Sequence, residues 1–492
     1  MGLSRGRQPT ALQRDQPWAA DYGWWSFAMA ALRVRAPALL CPPLLPMSRV
    51  APPISASAPD LVTDAQVVDP DHGGVPGADQ RNFALLVMHQ VLFRIGWVFK
   101  TESIVMPYFL DAIGGGPIIR SLLMVLNRLG ASVPPALYAR RLKLMKQKRW
   151  SLYATTTGSG VPFAIIAAVW WSEIWREADG SVAPWTKWFF LAMYAWFFVV
   201  TGLNQLSLQV IQGKLVRANL RGRLFTAGVV IGSPLSILAV WLLMPGWLAR
   251  PDGFALIFAA PAVLFFLSGL AMLAIRETSD SYTEVREPGW RRLVRAARLA
   301  FEDPKLRPVA ISAVLYSAAF TLFPHYQAMA RESAGEAFNI QSLVTWTITQ
   351  HTAVAVISFL AGPIADWFGA RRAVQMTMFG AALAPFTAIF LAKGAGLGDG
   401  QAFWLVFLPL GCTPVTNKML LNYTLELVGR EHHTLYSSSI GLCLALPVIV
   451  MSPIVGVLVA WLGAAPVFVL MATILLAGGV QSLWLAETRT KE

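Results

Sequence analysis

From Asn82 onward, apolar runs of roughly 20 residues recur along the chain, each long enough as an α-helix to cross a hydrocarbon core ~30 Å thick. They fall near 83–109, 118–138, 151–173, 186–211, 224–244, 254–275, 308–328, 343–364, 373–392, 402–420, 437–460 and 465–486. A backbone in lipid must satisfy its own hydrogen bonds, which leaves helices or closed barrels. Runs of this length specify helices. The expected fold class is therefore all-α: a polytopic membrane protein with 12 transmembrane helices in two six-helix halves. Composition agrees, since 55% of the 492 residues are hydrophobic and only 14% are charged, against about 25% in soluble domains.

The net charge of +13 raises the question of a nucleic-acid partner, but the placement of the charges argues against one. Lys and Arg crowd into alternate connectors. Residues 139–150 hold Arg140, Arg141, Lys143, Lys146, Lys148 and Arg149; residues 213–223 hold Lys214, Arg217, Arg221 and Arg223. The longest connector, 276–307, holds Arg276, Arg286, Arg291, Arg292, Arg295, Arg298, Lys305 and Arg307. The positive-inside rule makes this face cytoplasmic, and an even number of spans puts both termini there, in a cell membrane. The expected organisation is a disordered cytoplasmic extension over 1–80, a six-helix bundle over 81–275, a cytoplasmic linker over 276–307 and a second bundle over 308–488. Met47 offers an alternative initiator. Cys41, Cys412 and Cys443 show no disulfide or zinc spacing, and no cofactor is expected.

Between the eighth and ninth runs stands Gly362-Pro363-Ile364-Ala365-Asp366-Trp367-Phe368-Gly369-Ala370-Arg371-Arg372. Here Gly362 allows close helix approach, Asp366 serves a helix N-terminus or a basic partner, Gly369 permits a tight turn, and Arg371 and Arg372 anchor to headgroups and carboxylates. The stretch resembles the G-x-x-x-D-x-x-G-x-R-R loop of the major facilitator superfamily. Arg221-Gly222-Arg223 resembles a second recurrent element of that family, and the likeness spans 82–488. It implies two six-helix halves that alternate access to a central site, with Gly362, Asp366, Gly369, Arg371 and Arg372 as the gating motif. The first half departs from the pattern: Tyr138 stands where the Asp would fall, before Arg140 and Arg141. A sugar:cation symporter of another 12-helix family is the alternative.

An ionisable side chain at mid-bilayer costs ~2.5–3.5 kcal/mol or more, so each asks for a reason. In the first run, Arg94 lies near the middle, Glu102 two turns on along a similar face, and Lys100 can snorkel. The second run offers Arg120, Asn127 and Arg128. Paired with Arg94, Arg128 would make a cavity electropositive and suited to an organic anion. Gln205 and Gln209 share a polar face with Thr201 and Gln212. His325, following Pro324 near an outer surface, and His351 are candidates for a coupling proton together with Glu102. Thr413, Pro414, Thr416 and Asn417 mark a proline-broken helix, with Lys418 as a snorkelling anchor. The substrate-binding candidates are thus Arg94, Glu102, Asn127, Arg128, Gln205, Gln209, His351 and Asn417.

The function expected is secondary transport of a small solute by alternating access: an organic anion, with proton coupling, through a monomer in a lipid bilayer. No Walker phosphate loop, HExxH or GxSxG with partners occurs, which argues against ATP drive and against an enzyme. A transporter-like receptor or scaffold without flux is the remaining alternative.

Overall fold

The computed structural model describes residues 79–280, 289–392, 401–428 and 432–488. The expected extension over 1–80 lies outside them but for its last two residues, as do Cys41, Met47 and Arg286. Every major element is helical. The first group is α1 (Asp79–Val98), α2 (Val105–Ala112), α3 (Gly116–Leu144), α4 (Arg149–Trp171), α5 (Thr186–Leu215), α6 (Ala218–Leu248) and α7 (Gly253–Leu273). After α8 (Gly289–Glu302) come α9 (Arg307–Tyr316), α10 (Ala318–Leu322), α11 (Tyr326–Ala334), α12 (Ser342–Phe368), α13 (Ala370–Ala392), α14 (Phe407–Leu410), α15 (Cys412–Glu426), α16 (His433–Leu462) and α17 (Ala464–Gln481).

Nine helical stretches among the described residues are long and apolar enough to cross a bilayer. Three apolar runs of the sequence take another form. The first is not one helix over 83–109 but two, α1 and α2, parted at 99–104. The second is carried by α3, whose 29 residues run on past Tyr138 to Leu144 with Pro134 and Pro135 inside. The tenth is broken at Gly411, before Pro414 rather than at it, between α14 and α15. Large apolar side chains such as Trp241, Phe359 and Trp461 point outward and exposed, which a bilayer tolerates and water does not. Inside, Phe109, Phe163, Phe190, Phe197, Phe258 and Phe265 are buried and stack edge-to-face or offset, the geometry aromatic quadrupoles prefer.

Helices α1 to α7 pack chiefly on one another: α4 on α7 and α5, α3 on α5, and α1 on α6 and α7. Helices α9 to α17 do likewise, α13 lying on α15 and α17 and α9 on α17. The two groups meet where α16 runs along α3 and α12 along α6. Amphipathic α8, from the basic connector, packs on α16 and α3. The basic connectors gather at one end of the molecule, the basic end. There Lys148 and Lys214 meet Glu277 and Asp280, Arg371 meets Glu487, and Asp303 meets Tyr436.

Candidate functional site

At the end opposite the basic connectors, a buried ionic node ties the two groups together. The last turn of α2 supplies Asp111, the start of α3 supplies Arg120 and Ser121, and the segment around α10 and α11 supplies His325, Gln327 and Arg331. Arg120 donates to Asp111 Oδ2 at 2.5 Å, Gln327 Nε2 donates to the same oxygen at 2.9 Å, and Arg331 pairs with it at 3.4 Å. Arg120 Nη2 also donates to His325 Nδ1 at 3.3 Å. A guanidinium can only donate, so that contact makes Nδ1 an acceptor. The ring proton then sits on Nε2 and is given to Ser121 Oγ at 3.0 Å, whose hydroxyl proton goes to the Pro117 carbonyl at 2.9 Å. The chain is self-consistent and fixes one neutral tautomer. His325 is fully buried although it lies at the end away from the basic connectors, because Pro324 turns the backbone into a 3-10 segment, Phe323–His325, that tucks the ring inward.

Deeper, the break at 99–104 sets a second cluster. Lys100 does not snorkel: it is fully buried, pairs with Glu102 and lies 3.2 Å from the Trp97 ring centroid. Glu102 also accepts from Asn127 Nδ2 at 2.6 Å. Because the helix stops at Val98, Glu102 does not share a face with Arg94. Its neighbours are Lys100 and Asn127. Ser103 donates to Gln350 Oε1 at 2.6 Å, reaching from the first group to α12. Arg128 lies flat over Phe320, 3.8 Å from the ring centroid, within the field of Glu102.

Arg94 sits a turn above the break, half-buried, with one long hydrogen bond to Ser233 Oγ at 3.5 Å. His351 on α12 and Asn417 on α15 are also half-buried, and the Asn417 Oδ1 atom is buried without a partner. Gln205 and Gln209 are exposed. The buried polar face of α5 is instead Asn204 and Ser207, where Asn204 donates to Thr156 Oγ1 at 2.5 Å and Ser207 meets Ser151 at 2.7 Å. The glutamines therefore hold no neighbouring helix.

In the gating motif, Gly362 has open space around it, so it mediates no close helix contact. Asp366 lies exposed in the last turn of α12. Gly369 takes φ of 88° between α12 and α13, a conformation that costs an L-residue and not glycine. Arg371 donates to the Leu483 carbonyl at 2.7 Å and pairs with Glu487 at 3.6 Å. It thus anchors the chain's own C-terminal segment, in part through the Glu487 carboxylate. Arg372 reaches Gln375 at 3.5 Å. Tyr138, in the place of the missing Asp, contacts Ser151 at 3.2 Å.

At the basic end, burial alone would raise the Asp280 carboxyl. Hydrogen bonds and charges from Lys148 and Lys214 outweigh it and hold the group below its ordinary value. Burial likewise opposes, and the Tyr436 hydroxyl with the amides of Lys305 and Leu306 outweighs, to hold Asp303 low. Among the described residues no cluster of His, Cys, Asp or Glu is placed to hold a metal.

The sequence reading passed over Asp111, Gln327, Arg331 and Asn204. Asp111 carried a signal: an acid closing an apolar run, just before Gly114-Gly115-Gly116. What the sequence could not show is that Arg120 and Arg331, 9 and 220 residues away, converge on it.

No protein-family model matches the chain, and no curated protein matches it. Solved structures do. A mutant of the nucleoside transporter NupG superposes with a TM-score of 0.62 at 11% identity, over 82% of this chain and 100% of that one. A POT family transporter in complex with 5-aminolevulinic acid gives 0.60 at 12%, over 82% and 95%. A bacterial homolog of the human lysosomal transporter Spinster, inward-facing and unoccupied, gives 0.55 at 12%, over 84% and 98%. The chain is an integral membrane protein with the general fold of these transporters.

Proposed function

We propose that this protein is a secondary transporter of a small solute, working by alternating access as a monomer in a cell membrane. In this reading twelve spans form two six-helix halves, 81–275 and 308–488, joined by the linker 276–307, with both termini cytoplasmic. The carrying observation is the one-ended clamp. Asp111, Arg120, Ser121, His325, Gln327 and Arg331 bolt the two helix groups together at the end away from the basic connectors. A carrier must close one end while the other opens, and a buried ionic node is a device that can be made and broken. The fold likeness supports the class of activity. It does not choose the solute, because one similar structure is a nucleoside transporter and another holds 5-aminolevulinic acid.

The finer reading is an organic anion moved with a proton. His325 supports the proton. Its Nδ1 faces Arg120, so protonating the ring would set two cations against each other and loosen the clamp. Glu102 and His351 are the other proton candidates. Asp366, Gly369, Arg371 and Arg372 are the gating loop of the basic end, where Arg371 ties α13 to the chain's C-terminal segment.

The test is flux through the purified protein in liposomes, with a panel of radiolabelled organic anions and an imposed pH gradient. Accumulation that collapses when the gradient is dissipated is the expected result. Solute binding with no translocation of any tested compound would favour a receptor without flux and overturn the transporter reading.

A further inference from the structure

We infer that Arg94, His351 and Lys418, with Asn417, form a binding site for a compact divalent oxyanion, a dicarboxylate or a phosphate. This deepens the carrier reading and rests on it.

The argument begins with charge balance. Three buried or half-buried cations of the first group have their acid beside them: Lys100 has Glu102, Arg120 has Asp111, and Lys214 has Glu277. Arg94, half-buried, and Lys418, exposed, differ. Among the described residues, neither is ion-paired to a carboxylate, and the charge of Arg94 reaches Lys418. His351 lies within reach of Arg94 as well. Two like charges held together without a counter-charge repel, and evolution tolerates that inside a membrane protein where a ligand supplies the missing sign.

The geometry converges on one face of α6. The Arg94 stem lies on Gly232, where an added Cβ would come within 2.9 Å of its Cδ and push the stem aside. Two turns earlier on α6, Phe225 has Lys418 Nζ 4.6 Å from its ring centroid. Residues seven apart share a helix face. Arg94 therefore reaches this face from α1 and Lys418 from α15, while α12, which carries His351, packs on both α6 and α15. The site thus draws side chains from both helix groups, as a site between two moving parts must.

The donors are unspent. Arg94 has five N–H groups and makes one long bond, at 3.5 Å, to Ser233. Its unbonded nitrogens are not among the buried orphans of the interior, so they face accessible space. Gln90 Nε2, one turn before Arg94, is a buried donor without a partner; Asn417 Oδ1, next to Lys418, is a buried acceptor without one, so only the amide NH2 of Asn417 could serve an oxyanion. A planar guanidinium prefers a two-oxygen face of carboxylate or phosphate, and an ammonium takes a second oxygen as a point charge. Two fixed positive charges match two negative ones, and the His351 imidazole can add an N–H donor. Phe225 provides an apolar floor for a short carbon chain.

The experiment uses detergent-purified, full-length protein at constant ionic strength, titrated with succinate, inorganic phosphate, acetate or choline and followed by thermal unfolding. Succinate or phosphate should raise the midpoint, with acetate at least tenfold weaker and choline without effect. Whichever divalent arm binds more tightly names the source. Lys418→Met removes a solvent-reaching charge. It should leave the ligand-free midpoint unchanged or higher, because Arg94 loses a repelling neighbour, while weakening the divalent response at least tenfold. Arg94→Gln should do the same. Equal divalent responses in wild type and Lys418→Met, or no response to either dianion, overturns the site. Flux of a neutral or cationic solute without dianion binding would sink the site and leave the carrier. Dianion binding lost in Lys418→Met, with no flux of any compound, would sink the carrier and leave the site.

Discussion

The two ends of this molecule are fastened by opposite means. At the end away from the basic connectors, one carboxylate oxygen of Asp111 gathers Arg120, Gln327 and Arg331 across the boundary between helix groups. At the basic end, the ion pairs described stay within a group: Lys148 and Lys214 with Asp280, and Arg371 with Glu487. The same residue types thus do different work. Pairs inside a group brace a rigid body, whereas pairs between groups hold a joint. The lesson is that the partner's address, more than the strength of a pair, decides whether breaking it unfolds the protein or moves it.

The comparison breaks hardest at Asp111. Asp111→Ala leaves the buried Arg120 uncompensated, a loss of about 3–5 kcal/mol for a buried pair. The joint should open, so single cysteines placed beside Tyr108 should react faster with an impermeant thiol reagent added from the Asp111 side. Unchanged labelling would mean the node is bracing rather than a lock. Next comes His325→Gln. Its carbonyl oxygen can accept from Arg120 and its amide can donate to Ser121, so the thermal midpoint should shift by no more than the worth of a hydrogen bond or so, about 1 kcal/mol. What should disappear is the response of transport to pH on that side, and a retained pH profile would transfer the proton to Glu102 or His351.

A smaller effect belongs to the basic end. Asp280 is held below the usual carboxylate range, so its contribution is fully present above that range and is lost as pH falls through the lowered value. Asp280→Asn should therefore cost stability at neutral pH, on the order of 1 kcal/mol or less since the carboxylate is partly exposed. The cost should vanish in strongly acidic buffer, as read by unfolding midpoints at the two pH values. Labelling from the Asp111 side should not change. The smallest effect is expected for Arg371→Lys, which keeps the charge near Glu487 but loses the second arm to the Leu483 carbonyl. The unfolding free energy from urea titration should fall by about a few tenths of a kcal/mol.

How much of this was legible beforehand follows from the physics of each feature. Helix existence was, because the lipid requirement writes itself as runs of apolar residues, and Arg94, Glu102, Asn127, Arg128 and His325 stood out as costly exceptions within them. Phase was not. The break at 99–104 rotates Glu102 away from Arg94; the polar run Lys100-Thr101-Glu102-Ser103 marks the place, but the apolar flanks Phe99, Ile104 and Val105 let the stretch read as one continuous helix. The buried side of α5 was misjudged for a related reason: Gln205 and Gln209 form the longer polar stripe, but Asn204 and Ser207 find partners on α4, and partners 48 and 56 residues away leave no mark on a single helix. Lys418 was read as an anchor because its helix end was uncertain, and its meaning depends on Arg94, from the far side of the chain.

The 3-10 turn at Phe323–His325 carries a mechanical corollary. Three residues wound at 3.0 rather than 3.6 per turn are overtwisted by about 60° and stretched by about 1.5 Å relative to α-helix. Relaxing that one turn would swing the imidazole off Arg120 and draw α11 inward in a single motion. Chemistry at one ring and travel of a whole helix would then share a crankshaft, and a proton could be converted into displacement without any long-range relay.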